Sequence, residues 1–159
     1  MKILGIDPGT ATVGFGVIET DGHKHSLVDA GVIRTPANQA LELRLKTIYE
    51  SVRELIKLNK PEIMSIEKLF FAKNVTTAIS VSHARGVIML AAALAEVSVV
   101  EYTPLQIKQS LTGYGRADKS QIQEMVKVFL KLKECPRQDD CADALAAALT
   151  HATASLLYL

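Results

Sequence analysis

Four acidic residues lie where apolar segments of the chain end, and they are the clearest chemical signal in the sequence. Asp7 and Glu67 each follow a short apolar run, whereas Asp140 and Asp143 open a segment rich in Ala and Leu. Four carboxylates in one pocket would repel one another and take up protons unless a cation compensated them. Because hard divalent cations such as Mg²⁺ prefer oxygen ligands, the four acids predict divalent-metal chemistry.

The acids must be carried by strands and helices that end close together. Apolar or alternating segments predict five strands, at residues 3–6, 13–19, 27–34, 62–67 and 97–102. The turn at Asp21-Gly22 is typical of a hairpin, so the first three strands are expected to form an antiparallel meander.

Helical spacing of apolar residues predicts a helix from 41 to 56, an Ala-rich stretch predicts a second from about 75 to 95, and a third opens at Asp140. This order of elements predicts a mixed five-stranded α/β sheet with helices on its faces. If the strands that end at Asp7 and Glu67 are neighbours, their carboxylates lie close together. The Ala-rich helix is apolar on almost every side, which fits a subunit interface and a covered core helix equally well.

The composition predicts a soluble protein with one domain, residues 1–159. Hydrophobic residues make up 48% of the chain and charged residues 22%. No apolar run approaches the roughly 18 residues that span a bilayer, and no secretory signal follows Met1, so a cytoplasmic location with no membrane partner is expected. Cys135 and Cys141 lack the spacing of a redox or zinc motif and are expected to be reduced thiols.

Positive charge is concentrated in one part of a chain whose formal net charge is only +1. Residues 105–133 carry six basic and two acidic side chains, a local excess of +4. Such an excess can serve a polyanion, although Lys127, Lys131 and Lys133 are also explained as the solvated face of a helix. Residues 112–118 form a glycine-punctuated basic loop before a helix, and Ser120 with Gln123 is interpreted as its capping box.

The turn Asp7-Pro8-Gly9-Thr10 allows more than one interpretation. A carboxylate at a strand's end with glycine in the following turn lets the backbone approach a ligand closely. The turn also resembles the phosphate-binding loop of actin-like ATPases, and a small nucleotide-binding switch is therefore one alternative. That alternative leaves Glu67, Asp140 and Asp143 without a role, and actin-like proteins need two such domains.

Several motifs in a fixed order make a family resemblance specific. They are Gly5-Ile6-Asp7-Pro8-Gly9, Ile66-Glu67-x-x-Phe70, Arg85-Gly86, Lys119-Ser120 and Asp140-x-x-Asp143-Ala144-Leu145. Together they resemble the RuvC family of bacterial Holliday-junction resolvases across essentially the whole chain. The resemblance implies a ribonuclease-H-like fold, a homodimer, and a magnesium- or manganese-dependent endonuclease that nicks four-way DNA junctions symmetrically in recombination and repair. RuvA and RuvB are implied as partners.

The resemblance also implies the catalytic and metal-binding acids, which are Asp7, Glu67, Asp140 and Asp143. Cleavage of a phosphodiester can use two ions about 3.5–4 Å apart, and four carboxylates balance two dications. We expect Asp7 to bridge both ions. Asp139 adjoins Asp140 and is the alternative for the third acid, but the spacing to Asp143 favours Asp140, and Asp139 is expected to serve as the N-cap.

The expected DNA contacts lie around these acids. Phe70, three residues after Glu67, matches the family and is expected to stack on an unpaired base. Lys108, Lys119, Arg85 and Arg116 are candidates for phosphate contacts, because basic side chains neutralise the backbone without reading sequence. A ribonuclease-H-like enzyme acting on RNA–DNA hybrids is the rival enzymatic interpretation, since it would use the same metals.

Overall fold

A computed structural model describes residues 1–68 and 75–154, and its described strands form one sheet. The strands are β1 (Lys2–Asp7), β2 (Thr12–Thr20), β3 (His25–Arg34), β4 (Ile63–Glu67) and β5 (Ser98–Tyr102), in the order β3-β2-β1-β4-β5. β1, β2 and β3 pair antiparallel, and β4 is parallel to both β1 and β5. The predicted five-stranded mixed sheet and its opening meander are therefore confirmed.

Five helices accompany this sheet in the described part of the chain. They are α1 (Leu41–Asn59), α2 (Val75–Leu94), α3 (Pro104–Thr112), α4 (Lys119–Phe129) and α5 (Asp139–Ala154). The capping box predicted at Ser120 and Gln123 is wrong, because Asp118 is the N-cap and exchanges hydrogen bonds with Gln121. Asp accepts the N3 amide as well as Ser does, so the box begins two residues earlier than we expected.

The alternation of β1 divides its side chains between the two faces of the sheet. Leu4 and Ile6 belong to a core cluster that they share with α1 and α2, whereas Ile3 belongs to the cluster around α5. Side chains two residues apart on a strand share a face, so Gly5 and Asp7 also lie on the α5 side. The position of Asp7 is therefore set by the same pattern that fills the core.

Helix α5 lies directly on the backbone of β1 and β2. A Cβ atom at Gly5 would collide with the Ala144 carbonyl, and one at Gly14 would collide with the Asp140 carbonyl. Glycine is required at both positions because the helix backbone fills the space that a side chain would need. These two glycines thus fix how deeply the N-terminal turns of α5, which carry two of the four acids, sit against the sheet.

Gly14→Ala is therefore expected to destabilise the protein by at least about 2 kcal/mol, because overpacking against a helix backbone is relieved only by moving the helix. Urea unfolding of the variant and of Glu19→Ala, an exposed position in the same strand, would measure the difference. If Gly14→Ala unfolded with the same urea midpoint as wild type, the contact with Gly14 would not be what holds α5.

Helix α2 is half buried rather than buried all round. Ala84, Ile88 and Ala91 pack into the core, while Leu90 and Leu94 are 50% and 66% exposed. One face of this Ala-rich helix is therefore core, and the other face is exposed. Within the described ranges, no helix is both long and apolar enough to cross a membrane.

Candidate active site

Two of the four acids end neighbouring parallel strands. Ile6 of β1 is in register with Ile66 of β4, and the next residue along each strand is Asp7 or Glu67. Adjacent strands lie about 4.8 Å apart, so the two carboxylates leave the same edge of the sheet side by side. Ser65, two residues before Glu67, donates its hydroxyl to the Ala147 carbonyl of α5, which confirms that this face of β4 looks toward α5.

The other two acids lie at the start of α5. Asp140 is in its first turn, and Asp143 follows three residues later on a neighbouring position of the helix surface. Glu67 and Asp143 line one cleft of about 220 Å³. The Asp140 carbonyl of α5 lies against Gly14 of β2. This contact places the start of the helix, with both aspartates, at the edge of the sheet that carries Asp7 and Glu67.

Asp7 has the most perturbed electrostatics of the four acids. Its pKa is raised from 3.8 to about 7, first by burial and then by the negative charges of Asp143, Glu67 and Asp140. Repulsion of this kind means that the charges of Asp143, Glu67 and Asp140 lie near enough to Asp7 to disfavour its ionised form. The site thus has a strong preference for added positive charge.

Burial is also the largest cause of the raised pKa of Glu67 and of Asp143. The charge of Asp143 raises the pKa of Glu67 further. Carboxylates are normally exposed unless a cation or hydrogen bonds compensate them, so three poorly solvated acids at one place indicate a site built for a cationic ligand.

Lys119, at the start of α4, supplies positive charge beside these acids. Its ammonium lies 3.1 Å from Asp143 Oδ2 and 3.3 Å from Asp139 Oδ2. Burial lowers the pKa of Lys119, but its hydrogen bonds and ion pairs with Asp143 and Asp139 outweigh burial and raise it overall. The lysine predicted to contact DNA therefore lies at the acids themselves.

Asp139 does not serve as the N-cap of α5, contrary to the prediction. The Gln138 carbonyl accepts the first helical hydrogen bonds, from the amides of Cys141 and Ala142, which places Gln138 at the cap. Asp139 instead accepts a hydrogen bond from Gln123 Nε2 at 3.0 Å and pairs with Lys119. Asp140, not Asp139, is among the charges that raise the pKa of Asp7.

The acids fit a divalent metal by chemistry. Their donors are all carboxylate oxygens, and burial together with repulsion from neighbouring acids raises the pKa of Asp7, Glu67 and Asp143. Across residues 1–68 and 75–154, however, no three His, Cys, Asp or Glu side chains are arranged closely enough to hold an ion as they stand. Repulsion between the acids and the ion pair of Lys119 with Asp143 both favour this wider spacing.

The remaining predicted DNA-binding residues occupy different places. Lys108 lines the same cleft as Glu67 and Asp143, and Arg116 is exposed in the turn between α3 and α4. Arg85 lies elsewhere, with a side chain only 11% exposed that pairs with Glu101. Phe70 falls outside the residues that the structure describes.

An apolar floor beneath the acids was not foreseen. The cleft is also lined by Ile107 of α3 and Ile122 of α4, both buried, together with Ala146 of α5. Their side chains displace water from the carboxylates and so account for part of the burial that raises the pKa values. The sequence did contain a signal for this floor, because apolar residues recur four apart on each of two amphipathic helices. They are Ile107 and Leu111 in α3, and Ile122 and Val126 in α4.

The comparisons with known proteins agree with one another. A sequence model described as Crossover junction endodeoxyribonuclease RuvC matches residues 3–151. A protein of that description from Brevibacillus brevis is 58% identical over 152 residues, which cover 96% of this chain and 92% of the relative. A second, from Alkaliphilus metalliredigens, is 52% identical over 96% of this chain and 93% of its own length.

Solved structures give the same result. Thermus thermophilus RuvC superposes with a TM-score of 0.93 at 37% identity and covers 99% of this chain and 97% of its own. The same protein in complex with a Holliday junction substrate gives a TM-score of 0.95 at 38% identity, over 99% and 96% of the two chains. The predicted ribonuclease-H-like fold is thereby confirmed.

Proposed function

The chain belongs to the RuvC family of crossover junction endodeoxyribonucleases, and from this membership we infer that it is a Holliday-junction resolvase. The observation from the structure that supports the inference is the raised pKa of Asp7, which burial and the charges of Asp143, Glu67 and Asp140 cause. A cluster of half-buried acids beside Lys108 and Lys119 suits a reaction in which a polyanion is hydrolysed.

We assign the four acids to the binding of divalent ions, with Mg²⁺ proposed and Mn²⁺ as a substitute. Asp7, whose pKa is raised by burial and by the charges of the other three acids, would contribute to the binding of two ions, with Glu67 completing one site and Asp143 with Asp140 the other. When bound, such ions neutralise charge on the phosphate and activate water. The chain itself positions the scissile phosphate at the mouth of the cleft.

Lys119 is proposed to contact DNA. Its ammonium lies 3.1 Å from Asp143 Oδ2, so a phosphate bound beside the acids would lie within its reach. Lys108 and Arg116 provide further phosphate contacts, and Phe70 stacks on an unpaired base. These contacts position the junction without reading its sequence.

A homodimer is proposed from an apolar stripe on α2. The stripe consists of the exposed residues Ile79, His83, Gly86, Leu90 and Leu94. They recur every three or four residues, so they share one face of the helix, opposite the face that packs on the sheet. A Cβ at Gly86 would meet nothing within 4 Å, which leaves room there for a close approach by a second copy. A two-fold dimer supplies the two sites that symmetric nicking needs.

Leu90→Arg should therefore convert the dimer to a monomer, because it buries a charge at the centre of the stripe. Sedimentation velocity at micromolar concentration would give the mass directly. Val128→Arg, at an exposed valine of α4 on the other face of the sheet, is the matched control and should remain dimeric. A dimer that persists in Leu90→Arg would show that the stripe is not the interface.

The test of function compares three substrates with Mg²⁺ present: a synthetic four-way junction, a linear duplex and an RNA–DNA hybrid. We expect paired nicks that a ligase can seal, made in the junction only. Equal cutting of the linear duplex would contradict a junction-selective enzyme, and preferred cutting of the hybrid would favour the ribonuclease alternative.

We further propose that the enzyme acts in the cytoplasm with partners of the RuvA and RuvB type, as family membership implies.

A further inference from the structure

Arg85 holds the end of strand β4 from the side opposite the acid cleft. Its Nη1 donates to the Glu67 carbonyl oxygen at 2.7 Å, and its Nη2 pairs with the carboxylate of Glu101 in β5. The Arg85 side chain is 11% exposed, and that of Glu101 is 35% exposed. A guanidinium has the planar, multi-donor shape that such a two-point contact needs.

The contact acts on the backbone of Glu67, not on its carboxylate. Ile66 packs with the α1 and α2 cluster, so the Glu67 side chain turns to the other face, where it lines the cleft. Arg85 approaches from α2. The other polar group of the same peptide unit, the Lys68 amide, donates to the Tyr102 carbonyl at 2.8 Å, so both hydrogen-bonding groups of the peptide that follows the Glu67 Cα atom are held.

Helix α2 makes a second tie to the site, at the turn that follows Asp7. Thr10 is 7% exposed, and its hydroxyl lies 2.8 Å from the Ser80 carbonyl oxygen and 2.5 Å from Ser80 Oγ. The same helix therefore holds the chain just after Asp7 and just at Glu67. It thereby fixes the spacing between the ends of β1 and β4, which carry Asp7 and Glu67 side by side.

We propose that Arg85 is a positioning residue, which fixes the backbone of Glu67 through the pair with Glu101 and does not contact DNA. The proposal rests on the proposed resolvase function and assigns Arg85 a role different from the phosphate contact expected from the sequence. Catalytic geometry must be held closely, since small displacements of a reacting group cost large factors in rate. Loss of the hydrogen bond from Arg85 to the Glu67 carbonyl should thus slow cleavage and leave junction affinity unchanged.

Arg85→Lys separates the two roles. Lysine keeps the positive charge that a phosphate contact needs, but a single ammonium on a flexible stem cannot reproduce the fork between Glu67 and Glu101. At saturating protein, we expect the single-turnover cleavage rate to fall by about tenfold or more, with a junction dissociation constant within about threefold of wild type. A wild-type cleavage rate in Arg85→Lys would overturn the proposal.

Glu101→Gln provides an independent test that leaves the arginine in place. The neutral amide loosens the pair, so cleavage should slow in the same direction as in Arg85→Lys, with unchanged junction affinity. If Arg85 instead contacted phosphate, freeing it from Glu101 would tighten binding and steepen its salt dependence by up to about 0.9 in the log–log slope. That result would overturn the proposal even if Arg85→Lys failed to fold.

Arg53→Ala, which removes a charge from the exposed surface of α1, is the matched control and should cleave like wild type. Thermal unfolding and sedimentation of every variant would show whether the fold and the dimer are retained. Failure of the wild-type and control proteins to cleave the junction would count against the resolvase function itself. Cleavage by those two proteins and by Arg85→Lys at equal rates would count against the positioning role alone.

Discussion

Asp7→Asn is expected to abolish junction cleavage while junction binding is retained. Asp7 is the acid on which the other three charges converge, and Asn cannot supply the negative oxygen that a shared metal ligand needs. We expect the single-turnover rate to fall by about a thousandfold or more, which corresponds to about 4 kcal/mol of activation free energy. Affinity should be equal to or higher than wild type, because the phosphates lose a repelling neighbour.

Cleavage and gel-shift assays on the same four-way junction would measure both effects. Glu54→Gln neutralises an exposed carboxylate of α1 and should leave both unchanged. If Asp7→Asn lost binding and cleavage together, Asp7 would be needed to shape the DNA-binding surface, and the assignment of a shared metal ligand would fail.

The same substitution should stabilise the metal-free protein, and increasingly so as the pH rises. The pKa of Asp7 is raised in the folded state, so this carboxyl stabilises the fold only while it is protonated. Its contribution is fully present below about pH 4 and is lost as the pH rises to about 7. Asn remains neutral throughout and avoids that loss.

Urea unfolding in EDTA at pH 5 and pH 8 would test this expectation. From the shift to about 7, the advantage of Asp7→Asn over wild type should grow by about 2–3 kcal/mol between the two values. Glu54→Gln should show no such growth. Adding Mg²⁺ at pH 8 should stabilise wild type far more than Asp7→Asn, because the ion binds the folded wild-type protein and the variant lacks one of the carboxylates that would hold it. An advantage that did not depend on pH would contradict the raised pKa.

The strand-end acids were predictable because one pattern determines both fold and site. Residues 3–7 and 63–67 are strands whose two faces both pack into the core, and Asp7 and Glu67 end them on the face toward α5. Any sequence that fills this core must therefore direct Asp7 and Glu67 to a common edge once β1 and β4 pair. The C-terminal acids were similarly predictable, because their spacing of three is set by the helix that carries them.

Other features depended on contacts that no local pattern contains. The capping residues before α4 and α5 are settled by which oxygen reaches which amide, and neighbouring residues compete for that role. The expectation that Arg85 contacts phosphate rests on its charge, and its contact with Glu101 was not visible in the sequence. The Glu101 carboxylate that engages it belongs to a different strand, and only the parallel pairing of β4 with β5 brings the two together.

Because α5 packs on the glycines of β1 and β2 and carries two of the four acids, the proposed site can be complete only after α5 has been synthesised. Asp143 is translated 136 residues after Asp7, a delay of about 7–30 seconds at typical elongation rates of about 5–20 residues per second. Until α5 leaves the ribosome, the apolar side chains on that face of the sheet, such as Ile3 and Ile18, are uncovered and half of the acids are missing. We therefore expect a nascent chain that lacks α5 to be unable to carry out the proposed cleavage.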